Sequence, residues 1–138
     1  MSRRVRWSGW MLAGCLLAAL SGCSGSTLPE LKGSLKINGQ VLPGATVVLQ
    51  PKTGGGTICY GEVGVDGNFT VNTGGLGGVT AGEYIVTVMN RTAIGPDGTA
   101  APVTGPAIPP RYTDPKTSDL TITVKESGNE PLNIDLKQ

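Results

Sequence analysis

The chain has 138 residues, 11 basic and 10 acidic, with 22 glycines, 10 prolines and no histidine. Without an imidazole, the Ser-His-Asp and Cys-His arrangements, the zinc-peptidase motifs and most transition-metal sites are excluded. A near-neutral charge with no basic face and no basic–aromatic interleaving gives nucleic-acid binding no footing, and the length suits one ordinary domain.

Arg3, Arg4 and Arg6 open the chain, and an apolar run from Trp7 to Leu20 follows, broken by Ser8 and two glycines. Small residues then lead to a cysteine in Leu20-Ser21-Gly22-Cys23. A charged start, a short apolar middle and a small-residue end make the layout of a secretory signal over residues 1–22. The run falls short of the ~20 residues that a spanning helix needs. Ser2-Arg3-Arg4 touches the twin-arginine pattern, but Arg6 and Trp7 stand where that pattern expects apolar residues, so general secretion is the expected route.

Leu20-Ser21-Gly22-Cys23 resembles the lipobox of bacterial lipoproteins. The resemblance implies cleavage behind Gly22, a diacylglyceryl group on the Cys23 thiol, and acylation of the new amino terminus. Leu12-Ala13-Gly14-Cys15 also resembles a lipobox but has almost no apolar run ahead of it; cleavage there and an uncleaved anchor are the alternatives. One acyl chain binds marginally, whereas several hold stably at ~0.8 kcal/mol per buried CH₂. Ser24 is not the aspartate that marks inner-membrane retention in lipoproteins of double-membraned bacteria, so the resemblance implies the periplasmic face of the outer membrane. Residues 23–30 read as the lipidated cysteine and a flexible tether. From Cys23 to Glu30 the chain reaches at most ~28 Å at ~3.5 Å per residue.

Taking Arg3, Arg4 and Arg6 from the 11 basic residues leaves eight against ten acidic, a net charge of −2 for the exported part. Both tryptophans leave with the signal, so Tyr60, Phe69, Tyr84 and Tyr112 are its aromatics. Cys59 then has no intramolecular partner, and its place in an alternating segment fits a small buried hydrophobe. Period-2 alternation dominates from residue 31 onward. Leu31, Leu35 and Ile37 share a face, and Asn38-Gly39 supplies a turn. Ala45, Val47 and Leu49 alternate with Thr46, Val48 and Gln50 up to Pro51. Cys59, Val63 and Val65 share a parity, Asp66-Gly67 favours a tight hairpin through positive φ angles, and Phe69 and Val71 continue beyond it. A glycine-rich link precedes Tyr84, Val86 and Val88. Leu120, Ile122 and Val124 follow, then a Ser127-Gly128-Asn129 turn, then Leu132, Ile134 and Leu136. Seven strands separated by turn signals predict an all-β, seven-stranded antiparallel β-sandwich over residues 31–138.

Four stretches then carry a resemblance. Gly33-Ser34-Leu35-Lys36-Ile37-Asn38-Gly39 with Leu42-Pro43-Gly44-Ala45-Thr46-Val47-Val48 resembles the opening of carboxypeptidase regulatory-like (transthyretin-like) domains. Val65-Asp66-Gly67-Asn68-Phe69-Thr70-Val71 resembles their hairpin, and Ala81-Gly82-Glu83-Tyr84-Ile85-Val86-Thr87-Val88 a later strand. Ile108-Pro109-Pro110-Arg111-Tyr112-Thr113-Asp114 with Ser118-Asp119-Leu120 is similar to the ending of short bacterial lipoproteins built on this domain. The resemblance implies a prealbumin-like sandwich without an activity of its own.

Carboxylates are the remaining chemistry: Glu62, Asp66, Glu83, Asp97, Asp114 and Asp119. Paired acids run glycoside hydrolysis when they stand ~5–9.5 Å apart across a cleft, but these fall on outward strand positions or beside Gly and Pro in turns. Asp66 with Asn68 falls far short of the six to eight oxygens that calcium takes. No cofactor or metal is expected. The segment 91–118 holds six prolines and three glycines and exceeds an ordinary connection, which marks it as a candidate binding loop. Arg111 and Tyr112 are its side chains best suited to contact a partner; in the competing view Tyr112 plugs the end of the core. Two functions follow: a lipid-anchored, non-catalytic module that binds an envelope protein (or glycan) or spaces envelope components, and a small hydrolase using carboxylates alone. The lack of tryptophan in the exported part weakens sugar stacking and favours a protein partner.

Overall fold

A computed structural model of the chain describes residues 27–90, 93–94, 97–101 and 105–138. The signal, Cys15, Cys23 and residues 24–26 of the tether lie outside the described residues. In chain order the strands are β1 (Leu31–Ile37), β2 (Gln40–Val41), β3 (Ala45–Pro51), β4 (Cys59–Glu62), β5 (Asn68–Thr73), β6 (Leu76–Gly77), β7 (Gly82–Asn90), β8 (Ala93–Ile94), β9 (Ala100–Ala101), β10 (Thr121–Val124) and β11 (Leu132–Leu136). A 3-10 turn at Pro110–Tyr112 stands between β9 and β10. The protein is all-β among the described residues, as its alternation requires.

The seven longer strands are the seven expected, and they form one sheet in the order β10-β7-β3-β4-β5-β1-β11. β2 adds to β1 and β6 to β5, while β8 and β9 pair with each other. β10 and β11 are consecutive in sequence yet stand at opposite ends of that order. Residues 125–131 alone connect them and span at most ~24 Å, so the sheet must curl until its ends approach. The result is a half-barrel whose concave face is the core. Curling also sets the one parallel ladder between the described strands: β11 arrives beside β1 running the same way, with Leu35 opposite Ile134 and Ile37 opposite Leu136.

Register then delivers one face of each of the seven longer strands to one cluster. Leu31, Leu35 and Ile37 of β1, Val47 and Leu49 of β3, Val71 of β5, Val86 and Val88 of β7, Val124 of β10 and Leu136 of β11 are all buried together. Leu49 lies opposite both Cys59 and Val86. Gly33 occupies an inward position of β1 opposite Phe69 and Leu132, where a Cβ would collide with the Phe69 ring and the Leu132 carbonyl oxygen. Glycine here is the space the aromatic ring needs.

Two turns test the sequence signals. Asn38 and Gly39 both take positive φ, 50° and 79°, and close the β1–β2 hairpin as expected. At Asp66-Gly67 only the glycine is left-handed, with φ of 82°. Gly67 N–H donates to the Gly64 carbonyl and Gly64 N–H to Asn68, at 3.0 and 2.8 Å, which lengthens the turn by a bulge. Val65 is therefore lifted out of the strand parity assigned to it and is 89% exposed at the tip.

The half-barrel has two distinct ends. The start of β1, the 52–58 and 74–81 turns and the 125–131 turn share one, since Pro51 lies opposite Tyr84 and Val124 opposite Gly82. The Asn38-Gly39 turn, the 63–67 turn and the end of β7 share the other, where Ala45 lies opposite Asn90.

Candidate functional site

Pro109 and Pro110 preset the backbone of the candidate loop. Pro109 is extended (φ −59°, ψ 132°) and Pro110 opens the 3-10 turn, where its missing N–H is no loss. Tyr112 N–H donates to the Pro109 carbonyl at 3.0 Å and Thr113 N–H to that of Pro110 at 3.1 Å. The Asp114 side chain then accepts Lys116 N–H at 2.8 Å, and Thr117 Oγ1 donates back to the Arg111 carbonyl at 2.9 Å. Ser118 Oγ donates to the Val86 carbonyl, fastening the loop to β7 before β10 begins.

Within this turn Tyr112 points into the core and is only 6% exposed, beside the buried Ile108. Arg111 is exposed, lies 4.6 Å from the centroid of the Tyr112 ring, and donates from Nη2 to the Lys137 carbonyl at 2.6 Å. The two candidate binding residues thus act on the protein itself. They clamp the loop to the core and to the chain beyond β11. Thr113, Asp114 and Lys116 are what this turn turns outward.

A second feature was not visible as a site in the sequence. The outward side chains of four adjacent strands, β4, β5, β1 and β11, line an open groove of about 690 Å³. Lys32 and Ser34 come from β1, Glu62 from β4, Asn68, Thr70 and Asn72 from β5, and Asn133 from β11. Register brings them together: Lys32 lies opposite Thr70, and Ser34 opposite both Asn68 and Asn133. Ser34 Oγ donates to Asn133 Oδ1 at 2.9 Å. Alternation reveals each outward residue, but only the strand order makes neighbours of segments 100 residues apart.

Asp66 closes one end of this groove. Its carboxylate accepts the Asn68 backbone N–H at 3.1 Å and the Asn68 side-chain amide at 2.7 Å, and these bonds hold its pKa below the ordinary carboxylate value. Asp97 is likewise lowered by the Thr99 hydroxyl and backbone N–H. Glu83 pairs with Lys52 at 3.6 Å in an exposed ion pair. Among the described residues no three His, Cys, Asp or Glu side chains gather where they could hold a metal ion. Cys59 is buried, with Sγ 3.2 Å from Thr73 Oγ1 and 3.3 Å from the Thr57 carbonyl oxygen. Tyr84 hydroxyl donates to the Thr80 carbonyl at 2.8 Å, and burial raises its pKa. Comparisons with protein-family models, with curated proteins and with solved structures found no match for this chain.

Proposed function

We propose that this chain is an exported lipoprotein, anchored to the bilayer through acylated Cys23 at the periplasmic face of the outer membrane, whose β-domain follows the carboxypeptidase regulatory-like plan and binds an envelope protein or glycan without catalysis. The observation that carries the binding reading is the groove over β4, β5, β1 and β11. Its amides and hydroxyls supply donors and acceptors at strand spacing, as polar recognition needs. A rigid sheet floor places them without an ordering cost at the moment of binding.

The carboxylate-only hydrolase is the second reading, because Glu62 and Asp66 line the same groove. Such chemistry needs one acid kept protonated near neutral pH. Asp66 is held in its charged form by its Asn68 bonds, which leaves the acid's part to Glu62. Binding is preferred because the groove's lining is mostly neutral amides and hydroxyls.

Two experiments test the proposal. Radiolabelled palmitate should enter the wild type and not Cys23→Ala; label persisting in that variant refutes the anchor, and loss in Cys15→Ala alone moves it. Cross-linking in the purified envelope should recover a partner from the wild type and not from Asn72→Ala with Asn133→Ala. Recovery unchanged by that pair refutes the groove, and Glu62-dependent hydrolysis of an envelope glycan would establish the second reading instead.

A further inference from the structure

We propose that the end of the half-barrel where β1 begins is a lipid-docking rim, seated on the same bilayer that holds the Cys23 anchor; this rests on the proposed lipid anchor. The first argument is where the chain behind Cys23 joins the domain. Val79 N–H donates to the Pro29 carbonyl at 2.9 Å. Gly78, at φ 96°, packs so closely on Leu28 that a Cβ there would strike the Leu28 carbonyl. The chain is thus fixed to the domain from Leu28 onward, three residues earlier than its composition suggests. Only Cys23 to Leu28 remains to bridge anchor and fold, at most ~21 Å at ~3.5 Å per residue. The seven residues of β1 alone rise ~23 Å at ~3.3 Å each. The rim is therefore held near the headgroups, and the opposite end stands a full strand length farther out.

The second argument is what the rim displays. Leu76 sits at the tip of the β5–β6 hairpin, is 66% exposed, and is flanked by Gly75 and Gly77, which leave it unshielded. Ile58 and Tyr60, at the start of β4 beside the end of β5, are 38% and 48% exposed. Lys52 and Glu83 at the same end neutralise each other in their ion pair. Apolar side chains beside a lipid anchor add to membrane affinity by burying their surface at the headgroup boundary. At the far end Val65 is more exposed still on its turn, but the tether cannot bring it down.

The exported part contains no tryptophan, since Trp7 and Trp10 precede Cys23, so single indoles report position without interference. Full-length, processed Leu76→Trp, Ile58→Trp and Val65→Trp proteins would be reconstituted into phosphatidylethanolamine–phosphatidylglycerol vesicles containing brominated phosphatidylcholine. The Leu76→Trp emission should shift blue and lose about half its intensity, Ile58→Trp should follow to a smaller degree, and Val65→Trp should be unchanged, because an indole partitions into the interface only where the rim meets it. Quenching of Val65→Trp, or none at either rim position, overturns the docking rim. Flotation separates the two readings: wild-type protein that floats with vesicles, beside unquenched Leu76→Trp, removes the rim and leaves the anchor standing. Protein that fails to float removes both.

Discussion

Tyr112→Ala and Arg111→Ala together decide whether the 105–118 turn is built to hold the fold or to hold a partner. Tyr112 is 6% exposed and packs with Ile108 in the central cluster. Truncating a buried aromatic to Ala removes about 3–4 kcal/mol. Arg111 is exposed; its bond to the Lys137 carbonyl and its place over the Tyr112 ring are worth ~1 kcal/mol together after solvent screening. For a domain of this size the urea dependence is ~1.5 kcal/mol per M, so the midpoint should fall by ~2 M for Tyr112→Ala and by ~0.7 M for Arg111→Ala. The two effects should not add, because the guanidinium 4.6 Å from the ring centroid loses its platform when the ring goes. Far-ultraviolet circular dichroism of the processed protein against urea measures all three variants. A midpoint unmoved by Tyr112→Ala, with partner recovery in envelope cross-linking abolished, would refute the architectural role and return the loop to the binding surface.

Gly33→Ala should destabilise by about 1–3 kcal/mol, read as a urea-midpoint shift, because its methyl meets the Phe69 ring and a main-chain carbonyl. Adding Phe69→Leu should recover only part, since the Leu132 carbonyl cannot swing aside without breaking the β1–β11 ladder. Cys59 should react with thiol reagents only after denaturant is added; rapid labelling of the native protein would contradict its burial between Thr57 and Thr73. Asp66 has a folded pKa below its unfolded one, so its contribution is complete above about pH 4 and is lost as pH falls through the folded value. Asp66→Asn should flatten that acid limb of the thermal midpoint, and an unchanged limb would disprove the Asn68 contribution.

Strands were the legible part of this sequence, because alternation is a local property. The apolar positions of β1, β3, β7, β10 and β11 reach the core in the register their parity dictates. Val65 shows where parity fails: a left-handed Gly67 inserts a bulge, and the residue two places before it leaves the ladder. The resemblance-bearing Ile108-Pro109-Pro110-Arg111-Tyr112 stretch was recognisable, but what its side chains face was not. Whether Tyr112 meets a partner or the core depends on how residues 105–118 fold back over β7, which no local pattern encodes. The groove was hidden for the same reason. Ser34 and Asn133 are 99 positions apart, and their hydrogen bond exists only because β11 docks in parallel on β1.

If the chain is held at Cys23 as proposed, that parallel pair has a mechanical consequence. Two neighbouring parallel strands begin at the same end, so β1 starts and β11 finishes at opposite ends of the half-barrel. The described chain enters the sheet at β1, while its last residues lie at the far end beneath Arg111. A pull between membrane and partner would load β1 along its axis. β1 is hydrogen-bonded on both flanks, antiparallel to β5 and parallel to β11, so its bonds must shear together rather than open one by one from a free edge. An antiparallel β1–β11 hairpin would place both chain ends at the membrane and leave no such load path. Under the proposed anchor, the Arg111 clamp and the β1 ladder would belong to one arrangement, in which a pull entering at the Leu28–Pro29 attachment is carried along β1 to the far end of the half-barrel.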